Sequence, residues 1–223
     1  MEIEAKFDIV TPEEVTLERV LSALEEVGVQ STTMSKAVSV LDTYYDTDDL
    51  ALYRAGAGLR VRRKAEKTVL TLKVQGVRSG AVFSRQELEG KPDVELLGKI
   101  HNVLLQHGFL DEETRVDPER IEDLGQFADW GLKPVVAIQS ERRKCILARD
   151  EDFAELSYDQ VFFVHADQSH AHPSLEVEAL EDRFESDILD LAGFLQRTFG
   201  SALAPQASSK YELAVAAFHL DQH

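Results

Sequence analysis

Met1-Glu2-Ile3-Glu4-Ala5-Lys6-Phe7 decides how the rest of the chain reads. As a strand it puts Ile3, Ala5 and Phe7 on one face and Glu2, Glu4 and Lys6 on the other. The apolar face asks for a core. The other carries two carboxylates and an ammonium where an ordinary wetted strand shows mixed polar residues. Faces of the same kind recur with a period of two. Arg60 and Arg62 oppose Leu59 and Val61, and Thr71 and Lys73 oppose Leu70, Leu72 and Val74. Arg85, Glu87 and Glu89 align, as do Arg142 with Lys144 and Glu176 with Glu178. Antiparallel sheets commonly wet one side, and any single face reads that way. Taken together, the same-sign clustering points to a sheet that closes and turns these residues onto one lumen. In such a lumen cations can grip phosphates and carboxylates can hold a divalent metal.

The bulk numbers narrow the partners. At 223 residues the chain has room for one domain with a well-buried core. A formal net charge of −17 argues against duplex nucleic acid or an anionic membrane as the main partner. Local basic clusters can still take a phosphate ligand. No apolar run reaches membrane-spanning length, Glu2 after the start is unlike a secretory signal, and Cys145 is the single cysteine. A cytoplasmic location is therefore expected.

Along the chain, Thr11 as N-cap, Pro12 in the first turn and Glu14 in a capping box predict a helix on Val15, Val20, Leu21, Leu24 and Val27, stopped by Gly28. A strand follows over 37–47, with Asp46, Asp48 and Asp49 as a turn. Further strands start near Leu59, Thr68 and Val82, with a turn at 76–80. A helical insertion spans about 91–133, with a second helix near 120–130. Strands resume at 135–147, 153–163 and 174–180, and helices occupy about 187–220, the last from Leu213 to Leu220. His170 and His172 fall in a surface loop, Cys145 reads as a buried hydrophobe, and Tyr44 and Tyr45 as core or wall aromatics. Short connections favour an antiparallel meander.

The ordered set Glu2-x-Glu4-x-Lys6, Leu59-Arg60-Val61-Arg62, Leu70-Thr71-Leu72-Lys73, Arg85-x-Glu87-x-Glu89, Arg142, Asp159, Glu176-x-Glu178 and Ser209-Lys210-Tyr211 resembles the CYTH superfamily, the triphosphate tunnel metalloenzymes. The resemblance implies an α+β fold: an eight-stranded antiparallel β-barrel, the triphosphate tunnel, with helices packed outside and residues 1–223 as a single CYTH domain. It also implies a small-molecule triphosphate as substrate, Mg2+ or Mn2+ as cofactor, and a monomer or homodimer. Carried over by position, Lys6, Arg60, Arg62, Lys73, Arg85, Arg142 and Lys210 look like triphosphate ligands. Lys144 shares the face of Arg142 as a further cation, and Arg143 points outward unless a bulge swaps the two. Glu2, Glu4, Asp159, Glu176 and Glu178 look like metal ligands. Glu87 and Glu89 either bind a second metal or orient the arginines.

The expected reaction is in-line attack of water on the terminal phosphorus, with Lys6, Arg62 and Glu4 as catalytic residues. Inorganic triphosphate is the first choice of substrate because no base-recognition feature is visible. Alternatives are a thiamine or nucleoside triphosphatase, a class IV-type adenylate cyclase, and a non-catalytic triphosphate-binding module.

Overall fold

The computed structural model describes residues 3–79, 82–121, 124–206 and 208–222, and of 75–79 and 82–86 the backbone alone. The N-terminal alternation is built as β1 (Glu4–Ile9), with Phe7 and Ile9 buried. There follow α1 (Leu17–Glu26), β2 (Gln30–Met34), β3 (Val38–Asp46), α2 (Ala51–Arg54), β4 (Gly58–Lys64), β5 (Lys67–Ser79) and β6 (Val82–Gly90). The insertion holds α3 (Val94–Gln106) and α4 (Gln126–Asp129). Then come β7 (Lys133–Ala148), β8 (Asp152–His165), β9 (Gln168–Ala171), β10 (Ser174–Ala179), α5 (Glu185–Phe199), β11 (Leu203–Pro205) and α6 (Lys210–Ala217). The chain is α+β with an antiparallel sheet, as expected, but eleven strands stand among the described residues where eight were expected. The additional strands β2, β9 and β11 are short or largely exposed, so no apolar alternation announces them.

Two compact units divide the chain: Met1–Ser39, Gln139–Phe163 and Ser169–Ser209 form unit 1, and Val40–Ile138, Val164–Gln168 and Lys210–His223 form unit 2. Within unit 1 the strand order is β11-β1-β10-β8-β7, with β2 on β7 and β9 on β8. Antiparallel register sets Lys6 opposite Glu176 and Glu4 opposite Glu178, then Glu176 opposite Ser157 and Ser174 opposite Asp159. Directly opposed residues point to the same side, so these polar side chains share one face. The other face buries Phe7, Leu156, Leu175 and Val177 with Val20 and Leu24 of α1 and Ile188, Leu191 and Leu195 of α5. Each such burial contributes about 2 kcal/mol.

Unit 2 holds the meander β3-β4-β5-β6. Asp42 lies opposite Arg62, Tyr44 opposite Arg60, Arg60 opposite Thr71, Thr71 opposite Glu89, and Lys73 opposite Glu87. Leu59, Val61, Leu70 and Leu72 turn the other way, into a core with Leu97, Ile100 and Leu104 of α3 and with Phe127 and Trp130.

Several local expectations are corrected. Helix α1 begins at Leu17, with Thr16 as N-cap taking the Arg19 N–H at 3.3 Å. Thr11 instead closes a turn, accepting from Glu14 N at 2.9 Å and Val15 N at 3.1 Å. That turn lets Val15 bury fully before the helix starts. Residues 76–79, expected in a turn, continue β5, because a register shift between Gln75 and Arg78 absorbs the irregularity within the ladder. The 120–130 helix shrinks to a single 3-10 turn at Pro118–Arg120 and the short α4. His170 lies in β9, not in a loop. The closing helix starts three residues before Leu213, which puts Lys210 and Tyr211 in its first turn. Among the described residues no helix is long and apolar enough to cross a membrane.

Candidate functional site

In unit 2 the pairing of β3 with β4 brings an acid to each arginine. Asp42 is 4% exposed. Its carboxylate accepts from Arg62 Nε at 2.7 Å and Nη2 at 2.8 Å, a side-on bidentate clamp. Arg60 Nη1 lies 3.8 Å from the same carboxylate. Arg60 Nη2 donates to Thr71 Oγ1 at 3.1 Å and Glu89 Oε2 at 3.2 Å, and the Thr71 hydroxyl donates to Glu89 at 2.8 Å. Arg60 Nε is buried and finds no partner among the described residues. Lys73 Nζ sits 3.2 Å from Glu87. Glu87 is therefore engaged with a cation on the neighbouring strand, and Glu89 with one two strands away. Burial pushes the Tyr44 phenol above its usual range, while Arg60 and Arg62 pull it back.

The aspartate of the 46–49 turn has a role that the composition of the turn hides. Asp46 is fully buried and accepts the backbone N–H groups of Thr47 at 2.7 Å, Leu52 at 2.9 Å and Tyr53 at 2.8 Å. A fourth donor, the Tyr211 hydroxyl, arrives at 2.8 Å. Tyr211 also stacks on Tyr44, with centroids 4.6 Å apart and planes 3° from parallel. Burial, reinforced by the Asp46 carboxylate, raises the Tyr211 phenol far above its ordinary value, so it stays a donor at any physiological pH. The first turn of α6 is thereby pinned, and Lys210 with it.

In unit 1, Arg142 is clamped in the same side-on way. Its Nε donates to Asp159 at 2.7 Å, its Nη2 to the other oxygen of Asp159 and, at 3.1 Å, to Glu176. Asp159 has no exposed surface. Lys6 pairs with Glu4, and Lys144 with Glu155. Arg142 and Lys144 are half-buried, while Arg143 is exposed and lines a cleft with Glu18, Glu141, Tyr158 and Gln160. Glu178 is exposed beside Glu4. His172 contacts Asp8 at 2.8 Å and stacks on Phe163. Burial pushes the Cys145 thiol up to about 11, which removes it as a nucleophile near neutrality.

Of the residues singled out from sequence, Glu2 lies outside the described residues, and of Arg85 only the backbone is described, opposite Gln75. Sequence reasoning missed Asp42, Asp46 and Glu155. The signal was there: Asp42, Tyr44 and Asp46 keep a period of two along β3, and Glu155, Ser157 and Asp159 keep it along β8. Glu4, Glu176 and Glu178 form an oxygen-only donor set of the kind Mg2+ or Mn2+ takes. Both oxygens of Asp159 are instead taken by Arg142. Among the described residues no three acidic, imidazole or thiol groups converge as ready-made ligands. Carboxylate oxygen at Glu4, Glu176 and Glu178 is the donor type a hard divalent ion takes, with Glu4 paired to Lys6 and Glu176 to Arg142, whereas Asp159 gives both oxygens to Arg142.

Comparison with known proteins gives a consistent picture. A CYTH domain profile matches residues 1–196. Three solved structures share the fold. A proposed adenylate cyclase from Bacillus halodurans is 18% identical, with a TM-score of 0.52 over 98% of this chain and 97% of that one. The proposed adenylyl cyclase HpAC1 from Hippeastrum, described as having a dominant triphosphatase activity, is 20% identical, with a TM-score of 0.54 over 97% and 96%. The PH1819 protein from Pyrococcus horikoshii is 16% identical, with a TM-score of 0.51 over 96% and 99%. No curated protein matches the sequence.

Proposed function

The chain belongs to the CYTH domain family, and from that premise we propose that it is a divalent-metal-dependent triphosphatase acting first on inorganic triphosphate. The observation that carries the reading is the cationic row on unit 2, where register sets Arg60, Arg62 and Lys73 on one face of β4 and β5. Two forked guanidinium groups and one ammonium suit the non-bridging oxygens of a polyphosphate. Arg85, Lys210, Lys6 and Arg142 supply further phosphate contacts. Lys144 is kept in place by Glu155, and Glu87 and Glu89 steady Lys73 and Arg60.

Glu2, Glu4, Glu176 and Glu178 hold Mg2+ or Mn2+, while Asp159 orients Arg142. Bound there, the ion supplies charge neutralisation and Lewis acidity at the phosphate oxygens. Lys6, Arg62 and Glu4 are the proposed catalytic residues: each cation takes phosphate oxygens, and Glu4 accepts a hydrogen bond from the attacking water. The water oxygen bonds to the terminal phosphorus as the bond to the bridging oxygen breaks. Pyrophosphate leaves with the electron pair, and the water proton passes to solvent. Positioning supplies most of the acceleration in such a transfer, and no covalent nucleophile is needed.

The likeness to a proposed cyclase favours a second reading, in which a ribose hydroxyl attacks the α-phosphorus of ATP. One experiment separates the two. The purified protein is incubated with inorganic triphosphate, thiamine triphosphate or ATP, with Mg2+, Mn2+ or chelator, and phosphate, pyrophosphate and cyclic AMP are measured. Metal-dependent phosphate and pyrophosphate from inorganic triphosphate are expected. Cyclic AMP from ATP would select the cyclase, and no turnover with any substrate would sink both.

A further inference from the structure

We propose that Asp42 is a positioning residue of the phosphate-binding face, acting through Arg62 and, more weakly, through Arg60. The inference rests on the triphosphatase reading and deepens it, since no part of the sequence motif set includes Asp42. The carboxylate is 4% exposed, whereas the Arg62 side chain keeps 28% of its surface. The acid is therefore buried behind the cation it holds. The clamp takes the Nε–Nη2 edge of the guanidinium at 2.7 and 2.8 Å, and because that group is planar its Nη1 edge is turned away from the carboxylate.

The direct opposition of Asp42 and Arg62 in the β3–β4 ladder fixes this orientation in the backbone pairing itself. Arginine is rich in rotamer entropy, and a side chain fixed beforehand spends little of it when a ligand arrives. The second task is charge. Arg60 and Arg62 project from the same strand two residues apart, and one buried carboxylate between them, at 3.8 Å from Arg60, offsets their repulsion.

A cycle of Asp42→Asn and Arg62→Lys tests this, because lysine lacks the Nε–Nη2 edge that the clamp needs. Hydrolysis of inorganic triphosphate and the thermal unfolding midpoint are measured for the parent, both single variants and the double variant. Asp42→Asn is expected to lower kcat/KM by about ten- to a hundredfold, mainly through KM. In the Arg62→Lys background the same change is expected to cost less than about twofold, since effects through a shared partner do not add. Should Asp42→Asn not fold, Asp42→Glu keeps the charge but displaces the fork, and a similar KM increase in a folded protein supports the proposal. Parent-like kinetics in Asp42→Asn overturn it, as does an equal loss in both backgrounds, which would mean that Asp42 does not act through the Arg62 fork. Both outcomes leave the triphosphatase reading intact. A parent without triphosphate turnover overturns the two together.

Discussion

Asp42–Arg62 in unit 2 and Asp159–Arg142 in unit 1 are the same device in different company. Both buried aspartates take the Nε and Nη2 of one arginine. In unit 2 the described side chains around the clamp balance, with Arg60, Arg62 and Lys73 against Asp42, Glu87 and Glu89. In unit 1 carboxylates exceed cations: Glu4, Glu155, Asp159, Glu176 and Glu178 stand against Lys6, Arg142 and Lys144. The clamp does not set the chemistry of a face; the charges left over do. Unit 1 has carboxylate oxygen in excess, the donor a metal takes, and unit 2 has each cation matched by acid, with Arg60 and Arg62 sharing Asp42; on the proposed reading those cations exchange acid for phosphate.

The comparison can be broken in several ways, starting with the largest expected effect. Arg62→Ala should lower kcat for triphosphate by about 10²- to 10³-fold and also lower the thermal midpoint, because it strips the buried Asp42 carboxylate of its fork; Lys6→Ala should cost somewhat less activity, with its midpoint nearly unchanged. Near-normal turnover in both would mean that neither face binds substrate. Asp159→Asn should cost about 3 kcal/mol of stability in urea unfolding, because it leaves Arg142 short of its buried counter-charge. If that variant keeps its stability but needs far more metal, Asp159 is a ligand and the equivalence of the two clamps fails.

The carboxylates themselves give a sharper contrast. Glu176→Gln with Glu178→Gln should raise the Mg2+ concentration for half-maximal activity by about tenfold or more. Glu87→Gln with Glu89→Gln should leave that concentration unchanged and raise KM a few-fold. Equal metal shifts in both pairs would erase the distinction between the faces.

The smallest effect is one of pH and belongs to unit 2. Burial lowers the pKa of His101, whose Nε2 lies 3.0 Å from Thr114 Oγ1; that hydroxyl donates to the Asp111 carbonyl, so the imidazole must donate to it. The folded state then binds a proton less readily than the unfolded one. This contribution to stability is complete above the ordinary histidine range, near pH 6.5, and is lost as pH falls below it. Thermal midpoints between pH 7 and 5 should fall less steeply in His101→Gln than in the parent; identical slopes would show that His101 does not titrate in this window.

Most of the sheet was legible in the sequence because alternation is a property of neighbours: Leu59 and Val61 declare a core on one side, and Arg60 and Arg62 follow onto the other. Fold class could be read from that pattern, whereas the exposed strand β2 and the start of α1 could not. The partners of the charges were hidden for a different reason. Which acid meets Arg62 depends on the register between β3 and β4, and the chain states no register until the strands pair. Asp42 therefore has no signal of its own in the sequence, and Asp46 reads as turn composition. Glu155 was obscured by the apolar residues on either side of it.

The bond from Tyr211 to Asp46 joins residues 165 positions apart. On a ribosome adding about 5 to 20 residues per second, the acceptor waits on the order of ten to thirty seconds for its donor. During that interval β3 to β6 and their helices can pair and bury, but Asp46 has its local donors from Thr47, Leu52 and Tyr53 without the Tyr211 hydroxyl, and the ring of Tyr44 lacks its stacking partner. Lys210, made one residue before Tyr211, is the last of the candidate phosphate ligands to be synthesised. The order of synthesis thus works as a timer: the candidate cationic set is incomplete until translation is nearly through residue 211, and a chain cut short before that point would carry the sheet without Lys210 and without the Tyr211 hydroxyl on Asp46.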